Sequence, residues 1–179
     1  MRIIAGSLRG HRLRCKPGGS LRPTGERMRE SLFSALGSLV SGATVCDLFA
    51  GSGALGFESL SRGAEHATFV ESKRKLADLI AGTADEWEMS DCCNVVCFDA
   101  LSYLAGLDGN PFDLVFADPP FACSLATPVF EWWLSTAGQS AVLVLELPAD
   151  APDPGDAAGV TPVKQAVFGD SSYRIYQQG

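Results

Sequence analysis

The chain of 179 residues is poor in the side chains that metal and disulfide frameworks require. It has two histidines, His11 and His66, and none of its six cysteines (Cys15, Cys46, Cys92, Cys93, Cys97, Cys123) forms a CxxC pair. No metal site and no disulfide framework is expected. Cys46 and Cys97 fall inside expected strands, where a free cysteine behaves as a small buried hydrophobe. No apolar run approaches the roughly 18 to 20 residues of a membrane span. The opening "MRIIAGSLRG" is basic, yet the roughly 7 to 15 apolar residues of a secretory signal do not follow. A cytoplasmic protein without a membrane partner is the expectation. Repeats are lacking too, and the length suits one domain with a single core.

Acidic charge is scarce only at the front. Residues 1–30 hold eight bases (Arg2, Arg9, Arg12, Arg14, Lys16, Arg22, Arg27, Arg29) against Glu26 and Glu30, a net of +6. The remainder holds six bases against nineteen acids, a net of −13, and the whole chain stands at −7. A polyanion repelled by such a body can still be gripped at the basic front. The same charges also fit a solvated terminal segment with no partner.

What is present alternates. "RIIAGSLRGHRLRC" has two short runs around a glycine-bearing turn and reads as a small basic hairpin. Thr24 is placed to cap a helix over about 26–40, in which Met28, Leu32, Leu36 and Leu39 recur at helical spacing. From residue 44, the strand-length runs "TVCDLFA", "ATFVE", "NVVCFDA", "FDLVFA" and "AVLVLEL" alternate with helical segments at about 54–62, 73–88, 101–107 and 124–137. This is the rhythm of a parallel sheet covered on both faces. "VKQAVFG" and "SYRIYQQ" read as a closing antiparallel hairpin. The expected fold is therefore α/β, a mostly parallel seven-stranded sheet with an antiparallel C-terminal hairpin. A basic extension (1–43) and a catalytic domain (44–179) would form one compact unit.

The first run enters "GSGALG", a GxGxxG arrangement at Gly51, Gly53 and Gly56 that lets backbone approach a ligand at a helix N-terminus. Alone the motif is weak. Glu71 ends the next strand twenty residues after Gly51, where a carboxylate can take both hydroxyls of a ribose. Asp99 ends the third strand in the same way. Asp47, four residues before Gly51, would repel a dinucleotide's pyrophosphate. It suits a cation, and S-adenosyl-L-methionine carries an ammonium and a sulfonium, so that cofactor fits better than NAD.

"FADPPF" follows the fourth run and offers acceptors rather than donors. The Asp118 carboxylate and the Pro119 carbonyl can hold the two hydrogens of an exocyclic amine and free its lone pair for attack on a methyl group. Phe121 would stack on the base, and the prolines Pro119 and Pro120 keep the loop stiff. The target base would be unpaired or flipped out. Cys123 offers a rival thiolate chemistry, but no neighbour in sequence lowers its pKa.

Together, "RIIAGSLRGHRL", "RPTGERMRESLFSAL", "DLFAGSGALGFESLSRGA", "FVE", "DLVFADPPF" and "FGDSSYRIY" resemble the bacterial 16S ribosomal RNA guanine-N2 methyltransferases of the RsmD type, in collinear order over nearly the whole chain. The resemblance implies a class I (Rossmann-like) methyltransferase that uses S-adenosyl-L-methionine to methylate a guanine N2 of 16S rRNA in an assembling small subunit, working as a monomer. It implies Asp118, Pro119, Pro120 and Phe121 as the catalytic tetrapeptide, and Asp47, Gly51, Gly53, Glu71, Asp99 and Ala100 as the cofactor pocket. Arg9, Arg12, Arg14, Arg22 and Thr24 would meet the RNA. Gly25-Glu26 departs from the family pattern, and the region 92–97 is unusually cysteine-rich. Residue types alone leave open an adenine-N6 methyltransferase, a protein glutamine methyltransferase and a non-catalytic RNA-binding assembly factor.

Overall fold

The computed structural model describes residues 1–13, 23–120, 125–136 and 141–178. Strands β1 (Thr44–Asp47), β2 (His66–Val70), β3 (Cys93–Val96), β4 (Leu114–Ala117) and β5 (Val142–Pro148) run parallel. β6 (Lys164–Phe168) and β7 (Ser171–Gln177) form the antiparallel hairpin, and β7 pairs with β5. The order β3-β2-β1-β4-β5-β7-β6 reverses between β1 and β4, which opens a crevice at the carboxyl ends of those two strands. The helices are α1 (Pro23–Leu36), α2 (Ala54–Ser61), α3 (Arg74–Glu86), α4 (Ala100–Ala105) and α5 (Ala126–Thr136).

Successive strand residues point to opposite faces, and the core divides accordingly. Val45, Leu114, Phe116, Val142 and Val144 pack with Leu32, Phe33 and Leu36 of α1 and Phe57 and Leu60 of α2. Cys46, Val115, Ala117, Leu143 and Leu145 pack on the other face, with Phe130 and Trp133 of α5. α1 is thus part of the main core, as its periodicity predicts. Ser31 Oγ lies 3.0 Å from Tyr173 Oη and ties α1 to β7.

Three expectations are corrected. The helix begins at Pro23, so Thr24 lies inside its first turn and not at a cap; proline suits that position because its missing N–H has no helical partner there. The N-terminal hairpin forms but is shorter than its runs suggest, one antiparallel bridge from Arg2 to Arg12 flanked by the Ile3 N–H to His11 O and Leu13 N–H to Met1 O bonds (3.0 Å each). The reason is competition, since Ile4 and Ala5 donate their N–H groups to the Glu58 carboxylate of α2 (2.8 and 3.1 Å). Cys46 is fully buried, but Cys97 is exposed, because β3 stops at Val96 on the sheet's edge.

Candidate active site

The loop from β1 to α2 is built by its glycines. Gly53 takes φ 76° at the start of α2, a left-handed conformation that costs other residues strain. At Gly56 a Cβ would stand 2.2 Å from the Phe69 ring, so α2 can lie this close to β2 only without one. The Gly56 N–H donates to Asp47 Oδ2 (3.1 Å), and the Gly51 N–H donates to Glu71 Oε2 (2.9 Å). Lys73 N–H donates to Glu71 Oε1 (2.8 Å), so both oxygens of Glu71 are aimed by backbone while further lone pairs remain for a ligand. Asp99 accepts the Ser102 N–H (2.9 Å) as the cap of α4, an interaction that holds its carboxyl below the usual carboxylate range, and Ala100 is buried behind it.

Asp118 follows β4 directly, and Glu146 of β5 is its neighbour one step beyond the Ala117–Leu145 pair. Asp47 ends β1, beside Phe116. By the alternation of the strands, all three carboxyl groups belong to the face covered by α1 and α2. Asp47 is only 2% exposed, and burial raises it from 3.8 to about 7, with Asp118 and Glu71 adding to the rise and the Gly56 N–H opposing it. Asp118 is open to solvent, yet crowding by protein on the cleft side lifts it from 3.8 to about 6; water in the cleft softens that shift. Burial and the Asp118 charge push Glu146 up to about 8, against the pull of Arg29.

A cleft of about 250 Å³ opens onto two of these groups, Asp118 and Glu146, while Asp47 stays buried. Asp118 and Glu146 line it with Arg29, Met28 and Leu32 of α1 and Ala54 and Leu55 beside the glycine loop. Arg29 is 5% exposed and donates to Arg2 O (3.0 Å). It therefore belongs to the cleft and not to the solvent-facing basic front. Arg2, Arg9, Arg12 and Arg27 do face solvent, and Arg2, Arg9 and Arg27 line a separate recess of about 420 Å³ with Glu26 and Glu30.

The structure thus gathers Asp47, Gly51, Gly53 and Glu71 at one crevice, with Asp118 and the buried Pro119 at its edge and Pro120 exposed. Arg9 and Arg12 lie apart from it, on the N-terminal segment. Arg14, Arg22, Phe121 and Cys123, and the Thr24 side chain, lie outside the described residues. Sequence reasoning missed Glu146 and Arg29 as cleft residues. It also missed Glu58, which is fully buried and binds Arg62 Nε at 2.8 Å besides the two N-terminal amides. A carboxylate inside an apolar strand was the available signal for Glu146. For Glu58 there was none beyond its helical spacing from Arg62.

The donor set suits S-adenosyl-L-methionine. Among the described residues, carboxyl groups outnumber cationic side chains beside the glycine loop, where Arg29 stands, which favours a cationic ligand there over a pyrophosphate. A family model described as conserved hypothetical protein 95 matches residues 1–177. The chain is 36% identical over 191 residues to ribosomal RNA small subunit methyltransferase D of Escherichia coli, covering 99% of this chain and 90% of that one. A solved structure described as a putative methyltransferase from Escherichia coli superposes with a TM-score of 0.85 at 34% identity, covering 99% of this chain and 97% of that one. An RNA methyltransferase from Salinibacter ruber in complex with S-adenosyl-L-homocysteine shares the fold, with a TM-score of 0.65 at 13% identity over 88% of this chain and 92% of that one. On this footing the chain belongs to the family of the ribosomal RNA small subunit methyltransferases D, enzymes built on the class I, S-adenosyl-L-methionine-dependent methyltransferase fold.

Proposed function

We propose that this protein methylates the exocyclic N2 amine of a guanine in 16S ribosomal RNA of the small subunit, using S-adenosyl-L-methionine. The observation that carries the reading is the position of Asp118 and Pro119 at the end of β4, next to the strand that bears the glycine loop and Asp47. Membership of a family whose relatives are named for small-subunit rRNA supports the substrate class.

When bound, the cofactor supplies an electrophilic methyl group on a sulfonium. Glu71, aimed by the Gly51 and Lys73 amides, accepts hydrogen bonds from ribose hydroxyls. Asp47 offsets cationic charge beneath the glycine loop, and Asp99, between β3 and α4, stands at the same end of the sheet. The Asp118 carboxylate and the Pro119 carbonyl accept the two amine hydrogens, which localises the nitrogen lone pair for attack. Phe121, outside the described residues, would stack on the base, and the stiffness of Pro119-Pro120 keeps the acceptors aimed without reorganisation. Arg2, Arg9, Arg12 and Arg27 hold phosphates of the surrounding RNA.

The test is tritium transfer from labelled cofactor to small-subunit particles and naked rRNA from cells lacking this enzyme, with mass spectrometry of the digested nucleosides. N2-methylguanosine is the expected product; N6-methyladenosine, or no transfer, refutes the proposal. Asp118→Ala is expected to lower the rate at least about a hundredfold while cofactor binding persists.

A further inference from the structure

Glu146 is a carboxylate in an unfavourable place. It interrupts the apolar run of β5, between buried Leu145 and Leu147, and its half-buried side chain lines the cleft. Among the described residues its carboxylate accepts no hydrogen bond. A group kept there at the cost of desolvation is available to a ligand. Its place is set by register: β4 and β5 are parallel neighbours, Ala117 pairs with Leu145, and the next residues are Asp118 and Glu146. Two carboxyl groups therefore stand side by side on one face, about one strand spacing (~4.8 Å) apart at their backbones.

Guanine presents two donors side by side on its Watson–Crick edge, the N2 amine and N1–H. We propose that Glu146 is the base-reading residue of this site, accepting the N1–H of the target guanine while Asp118 and Pro119 hold the N2 amine. The assignment rests on the guanine-N2 reading and deepens it. Adenine sets a lone pair at N1 beside its amine, and an ionised Glu146 would face that lone pair with one of its own. With Glu146 ionised, the pair of carboxylates thus selects a base with two adjacent donors, which the "DPP" segment by itself does not do; the protonated form would donate to a lone pair at N1 instead. Arg29, on the α1 side of the same cleft, favours the ionised form of Glu146.

2-Aminopurine tests the claim, because it keeps the amine of guanine and replaces N1–H with a lone pair; it also lacks O6, so the Glu146 variants assign the effect to N1–H. The substrate is whichever form, naked or assembled, yields N2-methylguanosine; if that nucleoside never forms, the guanine reading falls, whatever Glu146 does. The target guanine is then replaced with 2-aminopurine, and rates are measured for the natural enzyme, Glu146→Met and Glu146→Gln just above pH 8, where about half or more of Glu146 is ionised. Binding is read from 2-aminopurine fluorescence with S-adenosyl-L-homocysteine present. The natural enzyme is expected to prefer guanine about tenfold to a hundredfold, the range for a hydrogen bond to a charged acceptor. Glu146→Met is expected to lose the preference by slowing on guanine alone, and to bind the 2-aminopurine RNA at least as tightly as the natural enzyme. Glu146→Gln, whose amide oxygen also accepts N1–H, is expected to restore most of it. Equal slowing of Glu146→Met on both substrates overturns the assignment. So does a natural enzyme that methylates both bases equally fast, a result that needs no folded variant.

Discussion

Asp47 serves two ends that oppose each other. Its buried carboxyl anchors the glycine loop through Gly56 and offers charge to a cationic ligand, yet ionising it there is costly. The folded protein keeps this proton up to about pH 7, whereas an unfolded chain releases it near 3.8. The folded state thus binds more protons across that interval, and stability falls as pH rises from about 4 to about 7. Asp47→Asn is expected to raise Tm by a few degrees above pH 7, with the gain vanishing near pH 4. The same replacement is expected to weaken S-adenosyl-L-methionine binding, measured by calorimetry. In the natural protein that affinity climbs as pH passes through about 7 and Asp47 ionises; Asp118 at about 6 and Glu146 at about 8 widen the climb. Asp47, Gly51 and Asp118 were legible in the sequence because each sits at a fixed offset from a strand's end. Glu146 showed in the sequence only as a carboxylate within an apolar run, because its place beside Asp118 depends on the register between β4 and β5, which no local pattern records.

α2 works at both ends. Its N-terminus receives the glycine loop, and its far half grips the N-terminal segment through Glu58 and Ser61. The Ser61 hydroxyl accepts the Leu8 N–H (2.9 Å) and donates to the Ala5 carbonyl (2.5 Å). Glu58→Ala would strand two backbone N–H groups and the Arg62 guanidinium, and is expected to cost about 2 to 4 kcal/mol in urea unfolding. Trypsin is expected to cut at Arg9 and Arg12 sooner in that variant than in the natural protein. Gly56→Ala drives a methyl into the Phe69 ring and is expected to cost about 1 to 3 kcal/mol, together with cofactor affinity. The sequence pattern recovered α2 itself within a residue, since strand, glycine loop and apolar helix follow one another locally. The fastening of residues 4–8 to it links positions more than fifty apart, so "RIIAGSLRGHRL" shows in the sequence only the short hairpin that its Ile3, Gly10 and Leu13 amides make, and not the hold of α2 on Ile4, Ala5 and Leu8.

At the scale of the whole molecule the charges separate by position. Asp118 and Glu146 line the cleft, while Arg2, Arg9, Arg12 and Arg27 stand outside it on the N-terminal segment and α1. The sum over residues 1–30 predicts this division except at Arg29, whose turn into the cleft follows from its position on the buried side of α1, next to Met28. Replacing Arg9 and Arg12 together with alanine is expected to weaken RNA binding and to flatten the dependence of log affinity on log salt by about 1 to 2. Cofactor affinity should stay as it was; an unchanged salt slope would remove these two arginines from the RNA interface. Asp118 and Glu146, side by side at the cleft, also constrain how a nucleotide can enter. Carboxylates there reject a phosphate more strongly than a neutral ring, so insertion has a polarity: the base goes in first and its phosphate stays at the rim. A loose mononucleotide, with no neighbouring phosphates to rest on the arginines, is expected to bind more weakly than a base still joined to its chain.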